Sequence, residues 1–267
     1  MISTLRTAAA ATLLAATGWL VAATPAGATG GDTVYSSIAH PSADYLVDQG
    51  AQRAATVYDH WGTSCTASGC TNIPSRADFL DQVADAVSSF RTDDVLILDF
   101  ESLVLHENGT DTAAAQNSAD QLLIFISWIR SAYPEARIGC YDYDWGTSYQ
   151  DAGITAIRRQ LFGSGGFDMF NPTLYQRWSS QSVWDANLQS AISNDRAVSD
   201  KPIVPFISPY RSGENSQGLL SDAEWAHQLD TVDADADGSI VWNPSAAGAV
   251  VPDARWVQTL VSFVRGG

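Results

Sequence analysis

Hydrophobic and polar positions follow two different periods along this chain, and segments of the two kinds take turns. Short runs rich in β-branched and aromatic residues predict strands. Most of the segments between these runs carry apolar residues at spacings of three and four, which predicts amphipathic helices. The predicted strands span residues 33–38, 55–60, 95–101, 137–143, 167–174, 203–207 and 238–242.

Two of the predicted helices begin with residues that can cap the backbone. Ser75 precedes an apolar stripe that reaches Phe90, and Ser221 with Glu224 has the S-x-x-E spacing of a capping box. Further apolar stripes at helical spacing run through 122–129, 183–192 and 252–265.

The order of strands and helices predicts the fold class. Strands that alternate with helices over connections of this length indicate parallel pairing and right-handed crossovers. A doubly wound, phosphate-binding sheet would carry a glycine-rich first turn that opens a helix, but the glycine cluster at 163–166 precedes a predicted strand. We therefore predict an α/β fold, a TIM-like (β/α) barrel in which seven strands can be placed, formed by a single domain.

The N-terminus predicts export. Arg6 is followed by a run of small apolar residues at 8–23, and Ala26-Gly27-Ala28 has the form of a cleavage site. These features are typical of a secretory signal peptide. We expect residues 1–28 to be the signal peptide, residues 29–267 to be the barrel domain, and the protein to be extracellular.

The three cysteines are unevenly spaced. Cys65 and Cys70 enclose four small or polar residues, and in an exported protein we expect them to form a local disulfide. Cys140 stands in an apolar stretch, where a buried free thiol acts as a small hydrophobe.

Composition and residue spacing argue against several classes of partner and cofactor. The formal charge is −16, and the single lysine is Lys201, so binding to nucleic acid or to an anionic membrane is not expected. The four histidines lack metal-ligand spacing. A calcium loop beginning at Asp233 would need a glutamate where Pro244 stands. We predict no metal and no cofactor, and we expect a monomer.

The segment 95–101, VLILDFE, carries the strongest chemical signal. Side chains alternate along a strand, so Asp99 and Glu101 share a face with Val95 and Ile97. In a barrel the two carboxylates would stand at the C-terminal mouth, where the active sites of this architecture lie. Burying carboxylates without a cationic partner is costly, which favours a catalytic role for both.

Aromatic and amide side chains stand at the ends of other predicted strands. Sugar rings stack on aromatic side chains, while polar groups bind their hydroxyls. Together with the two acids, these residues indicate a carbohydrate-binding cleft and a polysaccharide partner. The candidates for substrate binding are Tyr141, Tyr143, Tyr175, Trp242 and Asn243.

The order of these motifs, from about residue 55 to 245, resembles the hyaluronidase family of retaining glycosidases, family 56. The resemblance is carried by the segments 57–62 (VYDHWG), 73–74 (IP), 97–101 (ILDFE), 138–141 (IGCY), 172–175 (PTLY), 219–221 (LLS) and 240–242 (IVW).

The resemblance implies a fold and a division of roles among residues. The fold would be a seven-stranded barrel. Glu101 would be the general acid/base and Asp99 would orient the N-acetyl group of the substrate. Tyr141 and Tyr175 would match acetamido-binding tyrosines, and Trp242 would match the tryptophan of the cleft.

The resemblance also implies a reaction. It indicates an endo-glycosidase that cleaves next to N-acetylhexosamine by substrate-assisted catalysis. Hyaluronan is a polyanion, so a chain this acidic would need local cations, and Arg177 and Arg211 are the candidates.

Two alternatives stay open. A family 25 lysozyme-like muramidase also has a D-x-E strand, although the run at 33–38 lacks the aspartate that its first strand usually carries. A catalytically silent barrel that binds polysaccharide would share every feature named above.

Overall fold

A computed structural model describes residues 33–91, 93–103, 112–141, 152–177, 180–212, 218–243 and 250–266. The predicted signal peptide at 1–28 and the candidate Tyr143 lie outside these residues. The boundary between a signal peptide and a domain at 29–267 therefore stays a prediction.

The described residues form a seven-stranded parallel sheet and a separate two-stranded hairpin. The strands, in chain order, are β1 (Val34–Ser36), β2 (Gln52–Tyr58), β3 (Ser64–Thr66), β4 (Gly69–Thr71), β5 (Val95–Asp99), β6 (Arg137–Tyr141), β7 (Met169–Asn171), β8 (Phe206–Ile207) and β9 (Ser239–Val241). Strands β3 and β4 make the hairpin, which is antiparallel.

The parallel sheet closes on itself almost completely. Its strand order is β7-β6-β5-β2-β1-β9-β8. The two edges meet through parallel bridges between Phe170 and Ile203 and between Thr173 and Phe206. The amide of Val204 donates to the Phe170 carbonyl oxygen at 2.8 Å across this junction. The fold is thus a nearly closed, TIM-like barrel of seven strands in a single domain, as predicted.

Helices surround the barrel. They are α1 (Asp44–Asp48), α2 (Arg76–Val87), α3 (Thr112–Ala132), α4 (Ala152–Leu161), α5 (Gln181–Arg196), α6 (Asp222–Asp235) and α7 (Arg255–Val264), with a 3₁₀ turn at Pro41–Ala43. Within the described ranges, every helix is too short or too polar to traverse a bilayer.

Alternation along the strands divides the core into an inner and an outer part. Inward residues such as Val95, Ile97 and Met169 fill the barrel. Leu96 and Leu98 point the other way and pack against the helices. Apolar side chains therefore fill the interior of the barrel, and polar side chains lie at its C-terminal mouth.

The predicted strands and caps agree with the structure. Each of the seven predicted runs overlaps a strand. Six runs contain the whole strand, whereas β2 begins at Gln52, three residues before the predicted run 55–60. Ser75 accepts a hydrogen bond from the Asp78 amide and begins α2. Ser221 and Glu224 form the predicted capping box at the start of α6.

Helix α4 was not among the predicted helices, and a charged residue occupies one of its buried positions. Arg158 is only 1% exposed, and its guanidinium donates to Asp195 of α5 at 2.7 Å. Ile154, Ile157 and Leu161 are also buried and lie at helical spacing, so the sequence does contain an apolar stripe for this helix.

The cysteine predictions are confirmed. Cys65 and Cys70 are directly paired across the β3–β4 hairpin and form a disulfide. Cys140 is not part of a disulfide and is buried.

Candidate active site

A cleft of about 170 Å³ opens at the C-terminal mouth of the barrel. Its walls come from strand ends and from the residues that directly follow them. The described residues that line it are Ser37, Thr56, Tyr58, Asp99, Glu101, Tyr141, Phe206 and Trp242. Four predicted site residues, Asp99, Glu101, Tyr141 and Trp242, therefore lie together.

The two carboxylates stand at different depths in this cleft. Asp99 is the last residue of β5, is half-buried, and pairs in register with Tyr58 of β2. Glu101 lies two residues further along, beyond the strand, and is exposed. One acid is thus held by the sheet, while the other reaches into the open part of the cleft.

The turn that carries Glu101 is held on both sides. Phe100 is fully buried, and its carbonyl accepts from the Leu103 amide at 2.9 Å. The Ser102 hydroxyl lies 2.6 Å from the Thr63 carbonyl oxygen and 2.8 Å from Asp59 Oδ2. These contacts join the turn to the loop that leads from β2 into the disulfide hairpin.

A row of hydroxyl groups lies beside the carboxylates. The pKa of Tyr58 is raised, first by burial and then by the negative charge of Asp99, with a smaller contribution from Glu101. Tyr58 also has a side-chain hydrogen bond with Thr56, which opposes this rise. The Thr56 hydroxyl lies 3.1 Å from the Ser37 hydroxyl.

Aromatic rings form the other side of the cleft. Tyr141 meets Phe206 edge-on, with ring centroids 5.1 Å apart. Trp242 is half-buried and stacks on Tyr175 with centroids 5.0 Å apart. Tyr175 is only 5% exposed, so it lies behind Trp242. Tyr175 therefore supports Trp242, and the indole of Trp242 forms the surface of the cleft.

Asn243 and Asn171 are both buried. Asn171 accepts from the Cys140 amide at 3.1 Å and donates to the Val204 carbonyl at 2.8 Å. Its amide thus links the backbones of neighbouring strands. A Cβ at Gly139 would collide with the Asn171 side-chain oxygen, which explains the glycine in β6.

The two arginines suggested as local cations differ in surroundings. Arg177 is exposed. Arg211 pairs with Glu224. The pKa of Glu224 is lowered, chiefly by hydrogen bonds from the backbone and hydroxyl of Ser221, and further by Arg211. Arg211 is therefore tied to the start of α6.

The acidic turn before β9 is structural. Asp237 accepts from the Ile203 amide at 2.8 Å and from Arg196 at 2.6 Å. Asp235 accepts from Gln189 at 2.7 Å. In the described part of the chain, no group of three or more His, Cys, Asp or Glu side chains could hold a metal ion.

Four cleft residues were not among the candidates: Ser37, Thr56, Tyr58 and Phe206. Their strands were predicted, but hydroxyl and aromatic residues are common in strands and gave no separate signal. Inward alternation with Ala54, which lies in the barrel interior, would place Thr56 and Tyr58 on the inner face of β2.

No protein-family model matches this sequence, and no match was found among curated proteins. Solved structures do match. Bee venom hyaluronidase in complex with a hyaluronic acid tetramer is 14% identical, with 88% of this chain and 95% of that chain covered and a TM-score of 0.59. A monoclinic crystal structure of bee venom hyaluronidase is also 14% identical. The match covers 88% of this chain and 96% of that chain, with a TM-score of 0.57.

An endo-β-1,3-glucanase of family GH128 from Amycolatopsis mediterranei, in complex with laminaritriose, is also similar. It is 14% identical over 88% of this chain and 100% of that chain, with a TM-score of 0.54. The protein has the fold of hyaluronidase. The resemblance seen in the sequence is therefore confirmed at the level of the fold.

Proposed function

We propose that this protein is a secreted, retaining endo-glycosidase that cleaves next to N-acetylhexosamine by substrate-assisted catalysis. The observation that carries the proposal is the joint lining of one mouth cleft by Asp99, Glu101, Tyr141 and Trp242. The similar fold of bee venom hyaluronidase, solved with a hyaluronic acid tetramer, supports it.

In the first step, the acetamido carbonyl oxygen of the substrate attacks the anomeric carbon. Asp99 accepts a hydrogen bond from the acetamido N–H and orients the group. Glu101 donates a proton to the glycosidic oxygen, so the leaving sugar departs as an alcohol and a cyclic oxazolinium ion forms. Substrate-assisted enzymes of this kind need no carboxylate nucleophile.

In the second step, water attacks the anomeric carbon from the face that the leaving sugar vacated. Glu101, now a carboxylate, takes the proton of this water, and the oxazolinium ring opens to restore the acetamido group. Two inversions give net retention. Glu101 ends the cycle protonated.

The positions of the two acids suit these roles. A proton donor must reach a leaving oxygen that lies towards solvent, and Glu101 is exposed beyond the end of β5. An orienting group must stay fixed, and Asp99 is a half-buried strand residue opposite Tyr58.

The walls of the cleft suit a sugar chain. Trp242, supported by Tyr175, offers a flat face to the C–H side of a pyranose ring. Tyr141 and Tyr58 place phenol groups near the acids. The described lining contains two carboxylates and no cation, so we propose a neutral N-acetylhexosamine polymer, rather than polyanionic hyaluronan, as the preferred substrate.

The test is a turnover screen with the chain 29–267 on chitin oligosaccharides, peptidoglycan, hyaluronan and laminarin. We expect Glu101→Gln to lose about 10²- to 10⁴-fold in rate. Asp99→Asn should also lose activity, whereas Glu135→Gln, an exposed residue in the turn after α3, should not. Proton NMR of the first product should show the retained anomer.

Other outcomes would select the alternatives. Release of reducing ends from peptidoglycan, with no cleavage of chitin oligosaccharides or hyaluronan, would favour a muramidase. Saccharide binding without turnover, unchanged in Glu101→Gln, would favour a silent binding barrel. Full activity of Glu101→Gln would refute the proposed mechanism.

A further inference from the structure

Strands β1 and β2 stop pairing before they reach the C-terminal mouth of the barrel, which leaves a gap in the barrel wall. Their ladder contains two residue pairs, Tyr35 with Gln52 and Ser36 with Arg53. By contrast, β2 and β5 stay paired over five residues, up to Tyr58. After Ser36 the first strand continues along β9, where the Ser37 amide donates to the Val241 carbonyl at 2.9 Å.

A pocket of about 220 Å³ lies in the gap between the two strands, and we call this pocket the β1–β2 seam. At roughly 30 Å³ of liquid volume per water molecule, the seam exceeds the space of a few ordered waters. Its lining residues are Ser36, Ser37, Ile38, Ala39, Arg53, Ala54, Ala55, Thr56, Tyr58 and Ser89. Ser37, Thr56 and Tyr58 also line the cleft, so the two spaces adjoin.

Two buried polar atoms belong to residues that border the seam. Ser36 is 6% exposed, and its hydroxyl has no hydrogen-bond partner among the described residues. Arg53, which faces Ser36 in the ladder, likewise has a buried and unpaired Nε. Both atoms are covered by their neighbours, so they show that this part of the barrel wall is incompletely hydrogen-bonded.

The charge of the seam is balanced. Arg53 Nη2 donates to Asp44 at 2.6 Å, so the guanidinium already has an anionic partner. The other polar lining groups are hydroxyls, which both donate and accept hydrogen bonds. Ile38, Ala54 and Ala55 add apolar surface. A neutral, hydroxyl-bearing ligand with an apolar face fits this mixture better than an anion does.

We propose that the β1–β2 seam is a second saccharide-binding subsite, which takes a neutral sugar residue of the same chain that occupies the mouth cleft. The chain would pass from seam to cleft over Tyr58. The proposal rests on the proposed function for its ligand class. The site itself rests on the early end of the β1–β2 ladder, on the volume of the pocket and on the residues that it shares with the cleft.

The test is an NMR titration of the chain 29–267 carrying Glu101→Gln, with chitotetraose as the probe. Backbone amides of Ser36 and Arg53 report on the seam, and those of Asp99 and Trp242 report on the cleft. We expect both sets to shift saturably with one dissociation constant.

A blocking variant provides the second arm. Ala39 is exposed and lines the seam, so Ala39→Phe should obstruct it without disturbing the core. Ala39→Phe should weaken tetramer binding and abolish the shifts at Ser36. The matched control is Ala84→Phe, at an exposed position of α2, which should bind like the parent.

The outcomes separate the two proposals. Shifts confined to the cleft, unaffected by Ala39→Phe, would overturn the seam and leave the proposed function standing. Shifts confined to the seam would contradict one sugar chain that occupies both places, and they would also count against the catalytic cleft. Absence of shifts at both places would overturn both.

Discussion

Tyr175 stacks on Trp242 with ring centroids 5.0 Å apart and ring planes 27° apart. Tyr175 belongs to the barrel interior, whereas Trp242 packs against that interior and faces the cleft. The indole on which we expect a sugar to rest is therefore held in place by a second, hidden ring.

This stacking predicts opposite results for two variants of Tyr175. Tyr175→Phe keeps the ring and should retain stability and turnover. Tyr175→Leu removes a stacking interaction worth about 0.5–1.5 kcal/mol and should lower both stability and saccharide affinity. Denaturant unfolding followed by Trp fluorescence measures the effect on stability, and KM measures the effect on saccharide affinity. A folded but inactive Tyr175→Phe would show instead that the hydroxyl acts on substrate, as the family resemblance implies.

The contact between Ser102 and the Thr63 carbonyl predicts a positioning role for the disulfide-bearing loop. Ser102→Ala would release the turn beside Glu101, and misplacement of a catalytic group costs roughly ten- to a hundredfold in rate. We expect kcat to fall while KM changes little, because the sugar-binding rings are untouched. Ser68→Ala, at the exposed tip of the same hairpin, is the matched control. Equal kcat values for the two variants would contradict the assignment.

The buried pair of Arg158 and Asp195 predicts a large effect on stability. Both side chains are at most 2% exposed, and their atoms approach to 2.7 Å. Arg158→Met would leave the charge of Asp195 buried without its partner, at a cost of about 3–5 kcal/mol. The double variant with Asp195→Leu should recover much of this loss. Chemical denaturation measures the free energy of unfolding of each variant. A double variant no more stable than Arg158→Met would show that the loss does not come from the buried charge of Asp195.

Much of the barrel could be predicted because its strands are buried on both faces, by the barrel interior and by the helices, and therefore appear in the sequence as short apolar runs. Asp99 and Glu101 stand out because their charges end one of these runs. Helix α4 was not predicted, although Ile154, Ile157 and Leu161 have helical spacing. The burial of Arg158 in this helix could not be predicted, because only its contact with Asp195 explains it.

Other features depend on how distant segments meet. Thr56, Tyr58 and Phe206 are ordinary strand residues in the sequence, and they become part of the site only when the barrel closes. The β1–β2 seam depends on where the ladder between Ser36 and Arg53 ends. Register of this kind is set by contacts between strands and leaves no local pattern.

Tyr58 supplies a pH-dependent probe of the site. Burial and the charges of Asp99 and Glu101 raise its pKa above the ordinary value of 10.0. Below pH 10.0 the phenol is protonated in both the folded and the unfolded chain, so its contribution to stability is fully present there. Above that pH the unfolded chain loses its proton first, so this contribution is lost as the pH rises through the folded pKa.

We therefore expect Asp99→Asn to lower the pKa of Tyr58, because the substitution removes the second-largest cause of the rise. Glu101→Gln should lower it less, since Glu101 contributes less. Asp230→Asn, at an exposed position of α6, should leave it unchanged. The tyrosine ring signal in carbon NMR, assigned with Tyr58→Phe, gives each midpoint. If the midpoint in Asp99→Asn equals that of the parent, the carboxylate of Asp99 does not lie beside the Tyr58 phenol at the mouth, and the orienting role proposed for this carboxylate loses its structural basis.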